Sequence, residues 1–326
     1  MNKVWNKAGI EVEECSTSEE VMKAAKLDYN VSKQPLCFNW YNDRIYIENT
    51  YALVREDTGT PLTKGKAVSN VYTVIQNKEA FEVFDEIAGL GQMKYETAGC
   101  LKGGGLMFVS AKLPGNLVVR GNDSIDKYLL FTQRHDGSGS ILILFTPIRV
   151  VCQNTLNYAV QKGSKATGKI SIRHTISAKT RLNQAKNALG IMDIVSESTL
   201  ESYKKLDSTP MTQDEAMLFL INFHMTPTEK KDLEDRYGKL DKVAFWSYKP
   251  IASDTISTRK ANIVNEIKYN FIKEDKSSWG LYNAFTYYKQ HYKNYSSPEA
   301  SMMTNIYGTN YNDSEKFMNK LLKQQL

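Results

Sequence analysis

Two glycine-centred turns, Gly103-Gly104-Gly105 and Asp136-Gly137-Ser138-Gly139, each divide a pair of strand-like runs. This pattern restricts the first half of the chain to antiparallel hairpins. Residues 94–115 and 127–151 each read as two strands, and the turns between them hold residues that tolerate positive φ. Upstream, an Asn42-Asp43 turn precedes the alternating Ile45 and Ile47 and then, after a break, Leu53, which predicts a further hairpin or meander. One helix interrupts the strands. Asn77 is its expected N-cap, Phe81, Phe84 and Ile87 share one face, and Gly89 or Gly91 ends it.

Past Val151 the pattern turns helical, with Asn154 or Thr155 at the start and Leu156, Ala159 and Val160 as the apolar positions. Beyond His174 helical spacing dominates. Ile176, Leu182, Ala185, Leu189, Met192, Val195, Leu200 and Tyr203 extend it up to the Asp207-Ser208-Thr209-Pro210 break. Thr212 with Glu215, and Thr226 with Glu229 behind Pro227, spell capping boxes. Ile263, Ile267 and Phe271 form another stripe, and Phe317, Leu321 and Leu322 close the chain. The expected fold is α+β, with an N-terminal extension over 1–35, an antiparallel sheet-bearing domain with a basic edge over 36–175, and a helical region over 176–326. A length of 326 residues fits two ordinary domains.

Charge is distributed less evenly than structure. From residue 137 to 192 there is no Asp or Glu, whereas the chain's 36 acids in 326 residues would place about six there. The same window holds Arg149, Lys162, Lys165, Lys169, Arg173, Lys179, Arg181 and Lys186, so it carries +8 and the rest of the chain, 34 cations against 36 acids, carries −2. A basic zone on a balanced body is the electrostatic footprint of a polyanion partner, most often nucleic acid. A second acid-free stretch, 276–298, places Phe285, Tyr288, Tyr292 and Tyr295 on one helical face as core. Tyr287 and His291 lie elsewhere and are the better candidates for stacking on bases.

Several chemistries are weakly supported. Gly163 to Lys169 spells a phosphate-loop pattern, but Ile170 stands where a Mg²⁺-binding hydroxyl belongs, and the loop leads into a strand-like run instead of a helix. His135-Asp136 reads as turn chemistry. A metal site would draw on only three further histidines, His174, His224 and His291. Cys15, Cys37, Cys100 and Cys152 are far apart with no C-x-x-C and read as free thiols. No Ser or Cys lies in a nucleophile motif, and paired acids such as Asp85-Glu86 and Glu234-Asp235 read as solvated faces. No catalytic residue, cofactor or metal is expected. The N-terminus has no apolar signal core and no run reaches the length of a membrane span, so no membrane partner is expected and the predicted location is the cytoplasm.

The run from Phe145 through Arg149 and Gln153 to Asn157, together with Ile172-Arg173-His174-Thr175, His135-Asp136-Gly137-Ser138 and Tyr95-Glu96-Thr97-Ala98-Gly99, resembles the phage/plasmid-like protein family. Trp279-x-x-Tyr282-Asn283-Ala284-x-Thr286-x-Tyr288 is similar to that family's C-terminal motif, although Lys289-Gln290 stands where an acid is expected before the histidine. The resemblance spans about 50–325 and implies a mobile-element origin and an intracellular location. The strand-strand-strand-helix order with a basic edge also looks like the core of phage single-strand annealing proteins.

The sequence therefore predicts a non-catalytic nucleic-acid-binding protein of phage or plasmid DNA metabolism, single-stranded DNA being the expected ligand, assembled as a homo-oligomer. The eight cations of the window would meet phosphates. Gln153, Asn154 and Asn157, with Tyr287 and His291, are the candidates for base or sugar contacts, though the three amides serve equally as caps or packing groups. The alternative is an oligomeric structural or host-interaction protein whose basic zone meets an acidic protein, and an enzyme using His135 or His174 ranks third.

Overall fold

A computed structural model describes residues 5–88, 93–149, 154–155, 168–184, 188–240, 251, 253–306 and 308–324. The order opens with β1 (Ile10–Glu11), α1 (Ser18–Ala24), β2 (Val31–Trp40), β3 (Asp43–Arg55), β4 (Thr60–Pro61) and α2 (Asn77–Ala88). Next come β5 (Lys94–Leu101), β6 (Leu106–Arg120), β7 (Asp123–Arg134), β8 (Ile141–Arg149), β9 (Asn154–Thr155) and β10 (Lys169–Ile172). The helical half comprises α3 (Ala178–Gln184), α4 (Ala188–Asp207), α5 (Gln213–His224), α6 (Pro227–Tyr237), α7 (Thr258–Phe271), α8 (Ser278–Tyr287), α9 (Pro298–Ile306) and α10 (Thr309–Lys323). The architecture is α+β, as the patterning predicts.

The seven-stranded antiparallel sheet runs β1-β5-β6-β7-β8-β10, with β9 also paired to β8. Both glycine turns close hairpins, β5 to β6 and β7 to β8, and Gly103, Gly104 and Gly137 take the positive φ values of +69°, +103° and +67° that these turns require. The turns are joined to each other: Lys102 Nζ lies 2.8 Å from Asp136 Oδ2, and the His135 amide donates to the Gly105 carbonyl at 2.8 Å. A third hairpin, through Gly121 at φ +50°, links β6 to β7.

Alternation along the strands buries both faces of this sheet. Met107, Val109, Leu129, Phe131, Ile143 and Phe145 point to a core shared with α1, α2 and the start of β2, while Leu106, Phe108, Tyr128, Leu130, Leu144 and Ile148 meet Trp5 and α9. A third cluster fills the helical half and includes Leu117, Val119 and Ile125 from the β6–β7 end, so sheet and helices share apolar packing.

Several expectations need correction. The segment 5–35 is no extension: β1 pairs with β5, Trp5, Val21 and Leu27 are fully buried, and β2 begins at Val31. A capping box of Thr17 and Glu20 starts α1. Asn77 is the first residue of α2 instead of its cap, and Glu79 reaches back to the Gln76 amide at 2.9 Å. Asn154 and Thr155, expected near the start of a helix, form a two-residue strand on Ile148 and Arg149; residues 156–167, which include the helix's expected apolar positions, lie outside the described set. Ile176 precedes α3 and is 94% exposed, off any helical face. The capping boxes at Thr212 and Thr226 form as expected, and α4 ends at Asp207.

Candidate nucleic-acid interface

The cations of the acid-free window divide by position. Lys169 opens β10 at the sheet's edge, Arg173 follows the same strand, and Lys179 and Arg181 lie on α3, all four exposed. α3 is fixed beneath them by Ala178 and Leu182, buried in the sheet's first core. Lys179 pairs with Glu79 of α2. The Lys179 side chain sits largely in solvent and that of Glu79 is half-buried, so the pair is screened and weak. Lys162, Lys165 and Lys186, and with them Gln153 and Asn157, lie outside the described residues, and the side chain of Asn154 is likewise not described.

Arg149 is a correction. Its side chain is 7% exposed and closes on two carboxylates, Nε 2.8 Å from Asp123 Oδ1 and Nη1 2.9 Å from Glu274 Oε2. Trp279 donates its indole N–H to the same Asp123 at 2.8 Å, and the guanidinium lies 5.8 Å from the Trp279 ring centre. A buried arginine without such partners would be prohibitively costly, and with them it has no reason to face solvent. Arg149 and Trp279, from the two best-marked motifs of the sequence, thus join β8 to α8. The partners Asp123 and Glu274 lie 26 and 125 residues away in sequence, beyond any local pattern.

The phosphate-loop pattern ends at β10. Lys169 is the first residue of that strand, so a strand follows the loop and no helix N-terminus is presented to a phosphate; residues 163–167 are outside the described set.

His135 and His174 are internal. His135 is fully buried and its Nε2 is 2.8 Å from Asn77 Oδ1. Because the Asn77 amide nitrogen donates to the Leu27 carbonyl at 2.9 Å, its oxygen is the acceptor and His135 carries its proton on Nε2. Burial pushes the His135 pKa down to about 3, so the ring is neutral at physiological pH. Asp136 accepts from Ser138 and pairs with Lys102, which fits turn construction. His174 stacks on Tyr72 with ring centres 4.8 Å apart, and burial lowers its pKa too.

Tyr287 and His291 sit on and just beyond α8, with ring centres 4.5 Å apart, on a different element from the basic edge. A π-helical turn over Tyr288–Tyr292 changes the register there. Phe285 is buried as expected, but the wider turn carries Tyr292 out to 44% exposure, off the expected core face.

The sequence reading missed the β2–β3 arm as a surface. Residues 37–49 are all exposed, and Phe38, Trp40, Tyr41, Ile45, Tyr46 and Ile47 are among the most exposed large apolar side chains. The arm's root adjoins the basic edge. Lys33 of β2 donates to the carbonyls of Asn70 at 2.8 Å and Tyr72 at 3.3 Å, and the Thr73 amide donates to the His174 carbonyl at 3.1 Å, next to Arg173. The hairpin itself is legible in the sequence, but alternation marks strands without saying which face stays open.

Among the described residues no helix is long and apolar enough to cross a membrane. A family model described as a domain of unknown function (DUF932) matches residues 65–312. No curated protein and no solved structure matches the chain.

Proposed function

The chain belongs to the DUF932 family, and from that premise we propose that it binds nucleic acid without catalysing a reaction on it. The ligand is single-stranded DNA, held in the DNA metabolism of a phage or plasmid within the host cytoplasm, and the protein works as a homo-oligomer. The observation that carries this reading is the set of exposed cations Lys169, Arg173, Lys179 and Arg181 at one sheet edge, inside a 56-residue stretch with no acid. Phosphates attract such a strip independently of base sequence. Arg149 takes no part in it. His135, enclosed and neutral, is not placed to act as a general base on a ligand in solvent.

Freshly purified protein tests the proposal. Its A260/A280 ratio is expected to be raised, and nuclease digestion followed by sizing should release fragments whose nuclease sensitivity identifies them as single-stranded DNA. Protein that is free of nucleic acid as purified, and that does not retard a labelled 60-nucleotide oligomer at low salt, contradicts it.

A further inference from the structure

We propose that the β2–β3 arm is a self-association element whose apolar face docks on the same arm of a second copy of this chain. This deepens the homo-oligomer reading above and is independent of nucleic-acid binding. The pairs Phe38 with Ile45 and Trp40 with Asp43 place Phe38, Ile45, Trp40 and Asp43 on one face, while Cys37, Asn39, Arg44 and Tyr46 take the other. A register break at Pro35/Cys37, with Asn49 at φ +53°, separates this tip from the body. Beyond the break the arm is a two-stranded ribbon: among the described residues β4 pairs only with Val54 and Arg55, and Val68 only with Tyr51. Such a ribbon is marginal in water by itself and gains stability when a partner covers its face and edges.

Charge and area select the partner. Residues 36–50 carry Arg44 against Asp43 and Glu48, a net −1, which does not attract a phosphate backbone and contrasts with the basic edge. An aromatic and aliphatic face whose charge, Asp43, sits beside the turn at the tip is the composition of a protein interface with a polar rim. Phe38, Trp40, Tyr41, Ile45 and Ile47 are 48%, 58%, 89%, 40% and 45% exposed. At on the order of 100 Å² each they offer about 500 Å² per arm, hence about 1,000 Å² for two arms, the size at which specific interfaces begin. Because the same face meets itself, the contact is isologous and closes as a pair. Paired arms would set two basic edges in one assembly.

Light scattering on nuclease-treated protein at micromolar concentration is the test. Wild type and Trp40→Phe are expected at twice the monomer mass or a multiple of it. Phe38→Glu and Trp40→Glu should run as monomers with an unchanged far-UV spectrum, because neither side chain belongs to a core. A monomeric wild type overturns the proposal, as does an unchanged mass in both glutamate variants. If wild type is monomeric and Trp40→Glu loses only oligonucleotide affinity, the arm serves base stacking and the self-association is likewise refuted.

Discussion

At Arg149 the guanidinium serves the fold, which removes it from the cations proposed to meet phosphate. Arg149→Ala leaves Asp123 and Glu274 without their shared cation in a poorly solvated site, with an expected loss of about 3 kcal/mol of stability in urea unfolding. Oligonucleotide affinity per folded molecule should not change. Lys169→Ala should show the opposite split, near-native stability with weaker binding. The buried His135 and His174, with the half-buried His224, make a second prediction. Burial depresses the folded-state pKa of His135 to about 3 and that of His224 to about 4, and lowers that of His174. Unfolded histidine titrates near 6.5, so below that pH the unfolded state binds more protons than the folded one. The stability these groups contribute is therefore complete above about pH 6.5 and falls as pH drops through the window toward 4. His135 and His224 each contribute a slope of about 1.4 kcal/mol per pH unit once the unfolded state is protonated and until their folded-state values are approached, and His174 adds in the same direction. Urea midpoints at pH 7.5, 6 and 5 check this, and a flat profile would refute the neutral buried assignment.

Among the elements, α8 is positioned by a glycine. A Cβ on Gly280 would lie 1.9 Å from the Asp275 carbonyl oxygen, a backbone atom that cannot step aside. Gly280→Ala should therefore lower the thermal midpoint by well over the few degrees typical of a helix-surface change, and a midpoint within about 2 °C of wild type would contradict the packing. Thr226→Ala, which removes a cap, should cost about 1 kcal/mol. The caps were legible in the sequence because capping chemistry is local: Thr212 and Glu215, or Thr226 and Glu229, need only each other. The glycine turns were legible for the same reason. The two-residue β9 was not, since its pairing to Ile148 and Arg149 comes from the sheet and not from its own residues. Nor was the integration of residues 5–35, where Trp5 is buried against Tyr128, 123 positions on, with ring centres 5.6 Å apart. For the interface, the charge asymmetry could be read directly, but the loss of Arg149 from it depends on distant acids.

Over the whole molecule, the sheet is buried on both faces, and among the described residues of the acid-free window β10 and the start of α3 lie at its edge. β10 occupies the edge beside β8, α3 follows it, and Lys169, Arg173 and Arg181 face solvent there without disturbing either core. Removing them should change binding far more than folding. The most direct measurement is the salt dependence of single-stranded DNA affinity for wild type and for the Lys169→Ala/Arg173→Ala/Arg181→Ala triple variant, read by fluorescence anisotropy from 50 to 300 mM NaCl. Three lost phosphate contacts predict weaker binding at every salt concentration and a log–log slope shallower by about two. Equal affinities and equal slopes in the two proteins would contradict the assignment of the basic edge.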